Sequence, residues 1–117
     1  MIEGAKTLIK WLSTNVVTTY QEPVSKSANL PYISLNYTEA PSNEDTVQQL
    51  TIWTRSDSSY SEAYRYADKI SQILGDQGTV VDGLYITKGS PFVQNRLDDV
   101  GTIRAVYMTL SVKNLNG

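Results

Sequence analysis

The sequence predicts an α+β domain in which an antiparallel-dominated sheet is covered on one face by two helices. Two segments, 2–12 and 61–74, carry apolar residues at helical spacing, and several others alternate apolar and polar residues as half-buried strands do. At 117 residues, without an internal repeat or linker, the chain is expected to form one domain over 1–117. Helices and strands in this order favour a sheet with both helices on one face.

The first helix is expected over residues 2–12. At 100° per residue its apolar side chains form one stripe, which consists of Ile2, Ala5, Leu8, Ile9 and Leu12. Trp11 lies at the edge of this stripe, where its ring either covers the rim of the core or anchors a partner. The β-rich residues 16–20 then predict a short strand, and Pro23 marks the polar segment after it as a loop.

Two alternating runs, 31–38 and 47–55, predict the next pair of strands. Because their connection is short, they are expected to pair as an antiparallel hairpin. The connection carries Glu39, Glu44 and Asp45 without a basic residue. A solvated acidic loop is favoured there over a cation site, because the spacing matches no known cation-binding loop.

A hydroxyl-rich turn leads from the second of these strands into a helix. Ser59 and Glu62 have the spacing of a capping box, in which each side chain accepts a hydrogen bond from an unpaired backbone amide of the first turn. The helix is expected over 61–74, with Ala67 near the centre of its apolar stripe. Gly75 follows where helices often end.

The last third of the chain predicts a hairpin, a loop and a long strand. Asp82-Gly83 between two apolar runs is the strongest two-residue hairpin signal. The segment 89–101 contains Pro91 and several charges and is expected to be a loop. Residues 102–113 alternate over the longest run and predict the longest, central strand.

The composition excludes the commonest enzyme and metal chemistry. The chain has no Cys and no His, so it lacks thiolate ligands, imidazole ligands and the commonest general base. No phosphate-binding glycine motif or Gly-x-Ser-x-Gly elbow occurs. The formal net charge of −2 gives no basic field for nucleic acid, and no apolar run approaches the about 18 residues that span a bilayer. We therefore expect no catalysis, cofactor, metal, membrane partner or specific DNA binding.

Aromatic residues point to a binding surface. Eight of the eleven aromatic residues are Tyr, and Tyr and Trp side chains provide large contact areas at low entropic cost. By strand alternation Tyr32, Trp53 and Tyr107 fall on the sheet face away from the helices. If nothing within the domain covers that face, a partner is expected to cover it.

The segment Gly-Ser-Pro-Phe-Val-Gln at 89–94 has two interpretations of equal weight. As a structural element, Pro91 stiffens a turn while Phe92 and Val93 pack under the sheet edge. As a functional element, the same apolar residues lie beside Gln94 and Arg96 and form a subunit contact.

The order of these motifs resembles that of one viral protein family. A strand that ends in Trp-Thr-Arg-Ser at 53–56, a capped helix, a short hairpin, the 89–94 segment and a long C-terminal strand follow one another. This order is similar to that of the small tail-terminator or head–tail joining proteins, also called tail-completion or minor capsid proteins, of long-tailed bacteriophages and prophages. The similarity covers most of the chain in length and element order, and its motifs are not diagnostic of chemistry.

The resemblance implies a structural virion protein. Members of that family assemble with themselves into a ring, expected to be a hexamer, on the last ring of the tail tube. The ring stops tube growth, presents a surface to the head connector or stopper protein, and lets DNA pass without specific binding. The resemblance also implies assembly in the bacterial cytoplasm and a final position at the head–tail interface of the virion.

By analogy in position with that family, ring and tube contacts are expected in the acidic loop 39–46 and in the 89–101 segment. Trp53 and the residues around Phe92 are further candidates, because exposed aromatic anchors commonly dominate such interfaces. The residues are Glu39, Glu44, Asp45, Trp53, Phe92, Val93, Gln94, Arg96, Asp98 and Asp99. Two alternatives stay open: a neighbouring head–tail connector, such as a head-completion or stopper protein, and a small cytoplasmic enzyme or enzyme subunit.

Overall fold

The computed structural model describes residues 3–39, 43–56, 59–95 and 101–115. It confirms the α+β class with two helices against one sheet. The helices are α1 (Glu3–Asn15) and α2 (Ser61–Leu74), and the strands are β1 (Thr19–Gln21), β2 (Tyr32–Asn36), β3 (Asp45–Arg55), β4 (Thr79–Val81), β5 (Leu84–Asn95) and β6 (Ile103–Asn114). Neither helix is long and apolar enough to cross a membrane, a finding that covers the described residues alone.

The described strands form one sheet in the order β1-β2-β3-β6-β5-β4. All neighbouring pairs are antiparallel except β1 and β2, which are parallel. The expected β2–β3 hairpin is present, and β6 lies between β3 and β5 as a central strand. β3 pairs with β6 over its whole length, from Asp45 opposite Lys113 to Arg55 opposite Ile103.

The first helix continues one turn beyond the expected end. Ala5, Leu8 and Leu12 are fully buried, as the apolar stripe predicts. Trp11 is 9% exposed, so its ring completes the edge of the core. The helix ends at Asn15, whose side-chain amide donates to the Trp11 carbonyl one turn earlier at 2.9 Å.

The second helix has the predicted limits, but the predicted capping box is wrong. Tyr60 is the N-cap and makes no side-chain capping hydrogen bond. Ser59 therefore lies one position too early to reach the third amide of the helix. Its hydroxyl instead accepts from the Ser61 backbone N–H at 2.9 Å and donates to the Ser61 hydroxyl at 2.7 Å. Ala67 is 2% exposed and lies at the contact with the sheet, as expected.

The segment 89–95 is a strand, which corrects the expectation of a loop. β5 pairs with β6 through Lys88 opposite Leu110 and resumes with Val93 opposite Met108, so a bulge takes up the extra residues. Gly89 makes this possible, because a Cβ there would lie 2.8 Å from the Thr109 carbonyl carbon. The tight turn between β4 and β5 is confirmed at Asp82 and Gly83, both with positive φ.

The sheet curls around its helices. α2 packs across β3, β5 and β6, whereas α1 contacts both β1 and β4, the two edge strands. The enclosed face holds the core, and its buried strand residues include Ile33, Leu35, Leu50, Ile52, Ile86, Val106, Met108, Leu110 and Val112. Both helices therefore occupy the inner face, and no described helix covers the outer face.

Candidate functional site

The outer face of the sheet carries the three aromatic residues that alternation assigned to it. Tyr32 lies opposite Trp53 across the β2–β3 pair. Tyr107 lies opposite Thr51 across the β3–β6 pair, two residues along β3 from Trp53 on the same face. Each of the three side chains is half-buried. The sequence therefore predicted correctly which aromatic residues share this face.

Tyr20 extends these residues into an aromatic row, here defined as Tyr20, Tyr32 and Trp53. The Tyr20 and Tyr32 rings are 5.6 Å apart at 76°, an edge-to-face contact, and the Tyr32 and Trp53 rings are 6.5 Å apart at 38°. Sequence reasoning missed Tyr20, because its place depends on the parallel pairing of β1 with β2. No local pattern in a three-residue strand specifies that pairing.

A chain of hydrogen bonds through Ser34 holds the Trp53 indole and the Glu22 carboxylate in place. The Trp53 indole N–H donates to the Ser34 hydroxyl at 2.9 Å, and the Ser34 hydroxyl donates to Glu22 Oε1 at 3.0 Å. Ser34 is only 2% exposed. Its hydroxyl therefore orients the indole and the carboxylate.

Three hollows have Trp53 in their lining and so adjoin one another, and together they are here called the aromatic groove. The first, about 460 Å³, lies between Tyr32 and Trp53 of the row and the loop after β1, with Glu22, Pro23 and Val24 on the loop side. The second, about 330 Å³, extends from Glu22 and Trp53 to Tyr107 over neutral polar side chains. The third hollow also measures about 330 Å³, and it lies on the other side of Trp53.

Charge is unevenly distributed along the groove. Glu22 lines the first and second hollows, whereas Lys26 and Arg55 line the third. Arg55 also donates from Nη1 to the Thr102 hydroxyl at 3.0 Å. Burial, and to a smaller extent the neighbouring Tyr20, raises the pKa of the Tyr32 hydroxyl, so this group stays neutral well above physiological pH.

The acidic residues expected at an interface lie far from the groove. Glu39 and Glu44 are exposed, and Asp45 begins β3, where it pairs with Lys113 of β6. At about 3.4 Å per residue, Asp45 and Trp53 are roughly 27 Å apart along β3. The structure therefore places Glu44 and Asp45 at the start of β3 and Trp53 near its end, as two separate surfaces.

Phe92 and Val93 lie on the other side of the sheet from Trp53. Both are partly buried and pack against the hydrophobic core, and the Lys88 ammonium lies 5.6 Å from the centre of the Phe92 ring. This arrangement favours the structural interpretation of the segment. The backbone of Gln94 in β5 pairs with that of Tyr107 in β6. Its side chain, with Arg96, Asp98 and Asp99, lies outside the described residues.

Neither a metal site nor a match to a known family is found for this chain within the described residues and the sequence. Among the described residues no group of three metal-binding side chains comes together. No protein-family model matches the sequence, and no curated protein matches it. What the described site offers chemically is a rigid aromatic surface with one oriented carboxylate, which is suited to binding.

Proposed function

We propose that this protein is a phage tail-terminator-like assembly protein. In this proposal it forms a ring, expected to be hexameric, on the end of the tail tube, stops polymerisation there and joins the tail to the head connector. The observation that supports the proposal best is the outer sheet face, where Tyr20, Tyr32 and Trp53 form a row that no described helix covers. Half-exposed aromatic residues on a rigid sheet are typical anchors of protein interfaces.

A tail cap must bind different partners with different surfaces. A closed ring uses heterologous contacts between copies, and the cap also contacts the tube below and the connector above. The aromatic groove and the acidic start of β3 are separated by roughly 27 Å at about 3.4 Å per residue. Two such surfaces on one rigid strand suit a protein held between two partners.

The charge of the chain is compatible with a ring through which DNA moves. Its formal net charge is −2, so it provides no overall basic field that would retain the phosphate backbone. In the proposed life cycle the protein is assembled in the bacterial cytoplasm and remains in the virion at the head–tail interface.

Deletion of the gene from the parent phage tests the function. We expect overlong, headless tails beside filled heads, because tube growth is no longer stopped. Complementation with Trp53→Ser should restore few complete particles, whereas Val80→Ser should restore them. Val80 is the matched control, since it is 61% exposed on β4 and lies outside the aromatic row.

Electron microscopy of the lysates separates the outcomes. Normal-length tails on complete particles after deletion would contradict the proposal. Normal-length but unattached tails would instead assign the protein to the neighbouring connector or stopper.

A further inference from the structure

The aromatic groove contains an oriented acid beside two aromatic rings. Glu22 follows β1 directly, and its backbone N–H donates to the Leu35 carbonyl at 3.0 Å. Its carboxylate accepts from Ser34 at 3.0 Å through Oε1. Glu22 is thus held at both its backbone and its side chain while it remains exposed to solvent.

This carboxylate has no cationic partner within the described chain. The ion pair found among the described residues joins Lys6 to Glu3 on α1, away from the groove. The two cations of the groove, Lys26 and Arg55, line its third hollow, which adjoins the first at Tyr32 and Trp53 but which Glu22 does not line. The groove therefore has an acidic part whose charge is not neutralised by its neighbours.

The rings beside Glu22 favour a planar cation. Tyr32 and Trp53 lie 6.5 Å apart with a 38° tilt, and both line the same hollow as Glu22. A guanidinium group that stacks on an aromatic face directs its N–H groups outward in its own plane, so a carboxylate beside the ring can accept them. An ammonium group has no such plane, so this combination suits arginine better than lysine.

We propose that the aromatic groove binds an arginine side chain presented by a partner protein. The guanidinium stacks on Trp53 or Tyr32 and donates to the Glu22 carboxylate, and the aliphatic part of the side chain lies along Pro23 and Val24. The partner backbone continues over the second hollow toward Tyr107, where the lining carries no cation, while Lys26 and Arg55 line the third. The inference rests on the proposed function only for the identity of that partner, the tube or the connector.

The test uses the full-length protein and a small probe. Nα-acetyl-arginine methylamide is titrated into ¹⁵N-labelled protein while the indole N–H signals are followed by NMR. The chain has two Trp, so the spectrum has two such signals, and that of Trp11 serves as an internal reference. We expect a saturable shift of the Trp53 signal in the millimolar range and none for the citrulline analogue, which has the same shape without the charge.

Matched variants identify the acid. Glu22→Gln keeps the oxygen that accepts from Ser34 and removes the charge, so we expect folding to be preserved and the arginine probe to bind about three- to tenfold more weakly. Glu44→Gln makes the same charge change at the opposite end of β3 and should leave binding unchanged.

Three results would overturn the proposal. They are equal binding of the arginine and citrulline probes, unchanged binding by a folded Glu22→Gln variant, and a Trp53 shift that depends on protein concentration alone. The last result would assign the groove to a second copy of the chain. None of them depends on tails, so a failure here is distinct from a failure of the deletion phenotype.

Discussion

Replacement of Gln48 by Met removes a buried polar contact that closes the end of the β2–β3 hairpin. Gln48 is fully buried on the core face of β3. Its side-chain amide donates to the Thr38 carbonyl at 2.7 Å, and its side-chain oxygen accepts from the Thr38 N–H at 2.7 Å. β2 ends at Asn36, so this side chain takes the place of strand pairing for Thr38.

The expected cost of Gln48→Met follows from these two bonds. Each contributes about 1 kcal/mol net, and an acceptor or donor left buried would cost about 1–3 kcal/mol more. Thr38 is exposed, so water can replace the lost partners in part, and Met adds apolar burial. We therefore expect a loss of about 1–3 kcal/mol in the free energy of unfolding.

A urea titration measures this change directly. With a slope of about 2 kcal/mol per molar urea, the midpoint should fall by about 0.5–1.5 M. Gln49→Met is the matched control, because Gln49 is the next residue, exposed on the outer face, and should change stability by less than about 0.5 kcal/mol. Equal midpoints for the two variants would refute the reasoning that the Gln48 contact stabilises the fold.

Three further predictions concern packing, pH and association. Ala67→Leu should destabilise the domain by about 1–3 kcal/mol in a denaturant melt through overpacking against the sheet, whereas the exposed Asp68→Leu should not; a neutral Ala67 variant would contradict the packing. Burial, and to a smaller extent the negative charge of Glu39, raises the pKa of the Tyr37 hydroxyl above its ordinary 10.0. The neutral hydroxyl therefore stabilises the fold fully below pH 10, and this stabilisation is lost as the pH rises through the pKa of the folded state. Thermal melts of Tyr37→Phe should then lose less stability above pH 10 than the unaltered protein, and identical alkaline profiles would contradict this assignment. Because the proposed ring must form only on a finished tail, light scattering after a sizing column should find monomers at micromolar concentration, and a dimer that persists at nanomolar concentration would count against the proposal.

Features set by local periodicity could be predicted from the sequence. The apolar stripe of α2 gave both its limits and the buried position of Ala67. Asp82-Gly83 predicted its hairpin, and strand alternation placed Tyr32, Trp53 and Tyr107 on the outer face. In each case the determining residues lie close together in the chain.

Features set by distant parts of the chain were missed. Gly89 and Pro91 suggested a loop, but pairing with β6 overrides that local preference and the bulge accommodates the mismatch. The groove depends on Glu22, Ser34 and Trp53, which come together only through the pairing of three strands.

The prediction of a capping box at Ser59 was wrong by a single residue, because local spacing alone does not fix the first residue of a helix.

The length of tail tubes assembled in vitro tests the central proposal most directly. The tube protein of the same phage is polymerised with increasing amounts of this protein, and tube lengths are measured by negative-stain electron microscopy. We predict progressively shorter tubes that carry a density on one end. The Trp53→Ser variant should shorten the tubes only at higher concentration, and the Val80→Ser variant should shorten them as effectively as the unaltered protein. Tube lengths that do not depend on the added protein would contradict the proposal that it caps the tail.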